Sequence, residues 1–171
     1  MAASNIPIRR KKTAGVRRLA QRKIQKRKRR AGMIVISNLS RHQQIDADLV
    51  EEISRSVLSR YGKPEAELSI AFVPREDIIE LNRAWLDKDS DTDVISFNLG
   101  ANPEGEEIGD IYICTDVAES NALEHGCTLE QEIMRLVVHG VLHFVGFDDA
   151  TDEQRAEMHG LENKFLEQYG L

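Results

Sequence analysis

An α+β fold follows from the order in which apolar periodicities change along the chain. Two of four strand-like runs are adjacent with no helix between them, and three consecutive helical runs fill the C-terminal half. The order β-α-β-α-β-β-α-α-α predicts a small mixed sheet of about four strands packed with helices, not a repeating α/β unit. Of the 171 residues 41% are hydrophobic, and the globular part is long enough to bury one ordinary core, so a single domain is expected.

Met33-Ile-Val-Ile-Ser37 reads as the first strand, and Asp46 or Asp48 caps a helix whose Leu49, Ile53, Val57 and Leu58 recur at helical spacing. Tyr61-Gly62-Lys63-Pro64 stops it. Leu68 to Val73 is a second strand, and Pro74 opens a helix carrying Ile78, Ile79, Leu81 and Trp85. After the polar stretch Asp87 to Thr92 comes a short strand, Asp93-Val-Ile-Ser-Phe97. Asn98 to Glu107, with Gly100, Pro103 and Gly105, is a loop by composition, and Gly109 to Cys114 is the fourth strand. Helices are expected near 116–125, 128–145 and 151–169. Asp116 stands as the N-cap of the first, and Thr128 with Gln131 forms a capping box for the second. The last carries Asp152, Glu153, Glu157, Glu162 and Glu167, which read as a solvated acidic face.

The formal charge of −6 averages two unlike segments. Residues 1–32 hold 13 of the 23 basic side chains and no acidic one, leaving 10 against all 29 acidic residues in 33–171, a net of −19. Ile6, Ile8, Val16, Leu19 and Ile24 are scattered among mutually repelling cations, so this segment is expected to be disordered alone, ahead of a folded domain over 33–171. Three readings of it stand. It is a basic arm that neutralises RNA phosphates through charge, blind to sequence and lost with salt. Or it is a transit peptide, although Ser4 and Thr13 are its only hydroxyl residues. Or the gene starts at Met33. No apolar run approaches the roughly 20 residues that cross a bilayer, which excludes a helical membrane span. Without a secretory apolar core at the N-terminus, a cytoplasmic protein is the expectation. Cys114 and Cys127 cannot make a disulfide framework.

The chemistry concentrates in His139-Gly-Val-Leu-His143-Phe-Val-Gly146-Phe-Asp-Asp149. Two His four apart share one helix face, so both imidazoles can reach one ion. Gly146 lets the helix turn sharply back, and Asp148 and Asp149 stand where a third ligand belongs. Three protein ligands leave a position open, the arrangement of a catalytic Zn²⁺. HExxH peptidases carry their general base beside the first His; here that position is Gly140, which disfavours peptidase chemistry.

These residues, with Leu81-Asn82, Asp89, Thr92-Asp93-Val94-Ile95-Ser96-Phe97 and Gly109-Asp110-Ile111, resemble the YbeY family of bacterial metalloendoribonucleases. The specific motifs run from about Leu68 to the C-terminus, with a weaker likeness in element order from Met33. The resemblance implies a metzincin-like fold with one zinc per chain and a single-strand-specific endoribonuclease. It also implies a role in 16S rRNA 3′-end maturation and in late-stage 70S ribosome quality control, with single-stranded rRNA and ribosomal particles as partners and no membrane.

Carried over, the first two zinc ligands fall on His139 and His143. The family's third ligand is a His where this chain has Asp149, which is retained as the ligand; a carboxylate there favours a harder ion such as Mn²⁺ somewhat more. His159 is the substitute candidate, read otherwise as an exposed helical His. The family also has an Arg where this chain has Leu86, and Arg83 could present a guanidinium to the same cleft or be simply solvated. Asp93 and Ser96 read as structural, and Asp110 as fixing its adjoining loop. Two other classes stay open: a ribosome-assembly or RNA-binding factor of the same fold with an impaired site, and a zinc peptidase.

Overall fold

The computed structural model describes residues 32–42 and 44–171, so all of the basic segment but Gly32, with its three readings, lies outside the described residues. The elements are β1 (Ile34–Asn38), α1 (Ala47–Arg60), β2 (Glu67–Val73), α2 (Arg75–Trp85), β3 (Val94–Ala101), β4 (Glu107–Cys114), α3 (Thr115–His125), α4 (Leu129–Val145) and α5 (Asp152–Glu167). The sheet order is β1-β2-β4-β3, with β1 and β4 parallel to β2 and β3 antiparallel to β4. This is the expected α+β domain with a mixed four-stranded sheet.

Every residue of β2 is buried, as a strand covered on both faces requires. Its side chains alternate between two cores: Leu68, Ile70 and Phe72 join α1, α4 and α5, while Ala71 and Val73 join Ile78 and Leu81 of α2. Eleven of the 17 residues of α4 are buried, which makes it the central helix. Its backbone lies close to the sheet at Gly140, where a Cβ would stand 2.8 Å from Ile111 Cγ2 and 3.2 Å from Val94 Cγ2. Gly109 of β4 gives matching room to Phe144 of α4, whose ring atoms would stand 2.6 Å from a Cβ. Gly140→Ala is expected to destabilise the fold by about 1–3 kcal/mol through overpacking, offset in part by about 1 kcal/mol of helix propensity. Thermal unfolding would read it as a lower Tm.

Caps follow the sequence in part. Asp46 accepts from Leu49 N–H at 3.0 Å, and Thr128 and Gln131 cap α4 reciprocally at 3.1 and 3.0 Å. A second capping box, Thr151 with Gln154, starts α5. Asp116 does not cap its own helix. Its Oδ2 accepts the backbone N–H of Arg75 at 2.9 Å, supplying α2 with the acceptor that its N-cap, Pro74, has no side-chain group to provide. The expected loop from Asn98 to Glu107 is also corrected. Both strands continue into it, with a register shift between Asn98 and Ala101, and the turn closes where Asn102 N–H donates to Glu106 O at 2.8 Å. The glycines mark a bulge and a turn there, not an end to pairing.

Candidate metal centre

One turn of α4 and its reversal build the site. His139 and His143 project from the same face, and Gly146 ends the helix at φ +113°, its N–H donating to Leu142 O and His143 O at 3.1 Å each. The chain then doubles back. Asp148 stays exposed and its Oδ1 accepts from Asp149 N–H at 2.9 Å, while the Asp149 side chain turns inward and is 5% exposed. Arg155 of α5 fixes this reversal from outside, its Nη1 donating to Asp149 O at 2.9 Å and to Ala150 O at 3.3 Å.

His139 Nε2 and His143 Nε2 lie 2.9 Å apart, and the Asp149 carboxylate stands 3.9 Å from the first and 3.8 Å from the second. The three ligand atoms fall within 4.8 Å of one another. Atoms bound tetrahedrally at about 2.0–2.1 Å from a zinc sit roughly 3.3 Å apart, so the spacing fits an ion with little movement. The protonation pattern fits it as well. His139 Nδ1 faces Glu162 Oε1 at 2.8 Å and His143 Nδ1 faces the carbonyl of Phe147 at 3.0 Å, so with each Nδ1 donating, a neutral ring turns its Nε2 lone pair toward the cluster. Asp149 Oδ1, buried beside them, has no hydrogen-bond partner among the described residues. Two imidazole nitrogens and a carboxylate converging in this way could hold a cation.

With no ion in the cluster, its acidic surroundings favour a proton on His139, the place a cation would take. Burial acts to lower the pKa of His139, but the hydrogen bond and charge of Glu162, with Asp93 and Asp149, outweigh it and raise the imidazole above its ordinary value. His143 is lowered by burial and by His139. Burial acts to raise the Glu162 carboxyl, yet the hydrogen bond from His139 and the charges of His139, His159 and Arg135 hold it below its usual range.

The structure thus brings together His139, His143 and Asp149 as the sequence predicted, and it sets other candidates aside. His159 is 68% exposed in its side chain and turned to Glu162 Oε2 at 3.2 Å, so it is no ligand of this cluster. Arg83 is held by Asp89 on the surface, with Nε donating at 3.1 Å. Asp93 is structural in its contacts, Oδ1 accepting from Val94 N–H at 2.8 Å, and Ser96 is buried in β3. The expectation that the acidic side chains of α5 form a solvated face is wrong for Glu162, which is 1% exposed and orients His139. Gly140 faces the sheet, which leaves no place for a general base beside the first His.

A sequence model of the family described as Endoribonuclease YbeY matches residues 35–170. Endoribonuclease YbeY of Staphylococcus aureus strains JH9 and Newman is 45% identical over 139 residues, spanning 76% of this chain and 87% of those proteins. The solution structure of the Thermotoga maritima protein TM1509 superposes with a TM-score of 0.58 at 28% identity, covering 79% of this chain and 87% of that one. With the family matched over most of its length and its His pair and ordered blocks in place, this chain belongs to the Endoribonuclease YbeY family.

Proposed function

We propose that this chain is a metal-dependent endoribonuclease that cuts single-stranded RNA, with one Zn²⁺ held by His139, His143 and Asp149. Its substrate in this reading is the 3′ region of 16S rRNA, met on ribosomal particles in the cytoplasm during maturation and late 70S quality control. Family membership supports RNA cleavage. The observation that carries the metal is the pair of Nε2 atoms 2.9 Å apart beside an Asp149 oxygen with no hydrogen-bond partner among the described residues.

The chemistry a zinc supplies in such a place is Lewis acidity, which polarises a water or a phosphate oxygen and stabilises charge developing at phosphorus. The chain's own residues prepare it. Glu162 and the Phe147 carbonyl fix the imidazole tautomers, and Arg155 holds the reversal that carries Asp149. Asp149 in place of a third imidazole adds one negative charge and an oxygen ligand, which widens the ion range toward Mn²⁺.

The test is metal content of the purified full chain by mass spectrometry, with cleavage of a 16S 3′-end fragment offered single-stranded and as a duplex. Zinc near one equivalent and chelator-sensitive cutting of the single strand are expected. A metal-free protein that leaves the RNA intact would sink the reading.

A domain of net −19 repels RNA, so the basic segment is assigned the compensating role. Removing residues 1–32 is expected to flatten the salt dependence of RNA affinity, by roughly 0.7 in log–log slope for each phosphate that the segment neutralises. Filter binding over a salt series reads it, and an unchanged slope excludes the arm. A second reading, an assembly factor with an impaired site, is favoured by Leu86 and by the engagement of Arg83 with Asp89. Ribosome binding that survives removal of all three ligands, in a protein that cuts no RNA, would select it.

A further inference from the structure

Beside the cluster a cavity of about 140 Å³ opens among α3, α4 and α5, and His139 and Asp149 belong to its lining. Its floor is anionic but already matched. Arg135 reaches Glu132 with Nε at 3.9 Å and Glu162 with Nη1 at 3.5 Å, His125 Nδ1 faces Glu132 at 3.5 Å, and His159 Nδ1 faces Glu162 at 3.2 Å. Exposure sorts these groups into layers. Glu132 and Glu162 side chains are 2% exposed, Arg135 30%, Arg155 45%, His125 56% and His159 68%. An incoming ligand therefore meets guanidinium and imidazole edges first, with the paired carboxylates Glu132 and Glu162 beneath.

That arrangement is out of character for the rest of the domain. Residues 33–171 have 10 cations against 29 carboxylates. Arg41, Lys63, Arg75 and Arg83 are each engaged by surface carboxylates away from the site, and Arg155 Nη2 pairs with the exposed Asp152 at the rim of the cavity. Two of the ten cations and three of the five histidines converge on this one cavity. Leu136 and Met158 add apolar wall between them.

We propose that this cavity is an anion subsite in which Arg135 and Arg155 take the RNA phosphate adjoining the one cut at the cluster. The identity of that phosphate rests on the endoribonuclease reading; anion binding itself does not. Two guanidinium groups on neighbouring helices offer planar N–H donors to phosphate oxygens, and the phosphate takes the place of the exposed Asp152 at Arg155 Nη2. Asp93, Glu132, Asp149 and Glu162 place four negative charges around the cavity against the two arginines. A divalent ion in the cluster offsets the difference, and phosphate and ion therefore raise each other's affinity by the same factor.

The probe is inorganic phosphate, titrated into the zinc-loaded full chain and followed by phosphorus NMR. Saturable binding is expected, weakened about tenfold in Arg155→Gln and recovered in part by Arg155→Lys. Because Arg155 also holds the Asp149 reversal, zinc content is measured on every variant. Asn121→Lys adds a cation to the same cavity wall at a residue outside the cluster, and it is expected to tighten phosphate binding with zinc unchanged. Absence of saturable binding overturns the proposal. So does an affinity that neither Arg155→Gln nor Asn121→Lys moves, which would place phosphate on the ion alone. On single-stranded RNA, Arg155→Gln is expected to raise KM about tenfold with a smaller change in kcat. A chain that binds phosphate in this arginine-dependent way but cuts no RNA refutes the endoribonuclease reading and keeps the subsite. RNA cutting with arginine-independent phosphate binding does the reverse.

Discussion

Asp149→Ala is expected to leave the protein folded, nearly free of zinc and unable to cut single-stranded RNA. The substitution removes one of three ligand atoms that lie within 4.8 Å of one another. Two imidazoles would remain, and the drop in affinity should exceed the roughly 10–100-fold that an outer hydrogen-bond partner contributes. Among the described residues no neighbour stands ready to compensate: Asp148 is exposed and bonded to the Asp149 backbone, and His159 faces Glu162. Asp149→His restores an imidazole and is expected to recover zinc while narrowing the tolerance for Mn²⁺. Mass spectrometry of the purified variants, paired with a cleavage assay, measures both. Wild-type zinc content in Asp149→Ala would remove this residue from the ligand set.

Glu162→Ala is expected to weaken zinc binding by about 10–100-fold with all three ligands still present. The carboxylate is 1% exposed and receives His139 Nδ1–H at 2.8 Å, so its loss frees the ring to rotate or to change tautomer. It also strips Arg135 and His159 of a shared partner. Glu162→Gln keeps an oxygen that can accept from Nδ1–H and is expected to weaken binding less. Competition with a chromophoric chelator gives the affinities without reference to RNA cleavage. Equal affinity in Glu162→Ala and wild type would show that packing alone orients His139.

The features legible in the sequence are those encoded locally. The capping box at Thr128, the stop at Gly62 and the His pair with its following Gly each act within a few residues, and the structure has them at the expected positions. Features that depend on distant chain are not legible in this way. Asp116 looks like the first carboxylate of a helix, and only the approach of α2 makes it the acceptor for Arg75 N–H. The bulged extension of β3 exists because β4 lies alongside to pair with it. Glu162 does carry a local signal: Met158, Phe165 and Leu166 are buried at helical spacing around it, so a carboxylate sits on the apolar stripe of α5. A charged residue in that position calls for a buried partner, and His139 is that partner.

The two glycines at the contact of α4 and β4 interlock from opposite sides, since Ile111 enters the gap at Gly140 and Phe144 enters the gap at Gly109. Two such engagements on one contact hold the helix as two pins hold a plug: it can neither roll about its axis nor slide along the strand without withdrawing both. His139 and His143 flank one pin and adjoin the other, so the aim of their imidazoles is set by methyl groups and a phenyl ring with no part in the chemistry. Substitutions at these glycines would therefore spoil the centre by misaiming it while every ligand stays in place.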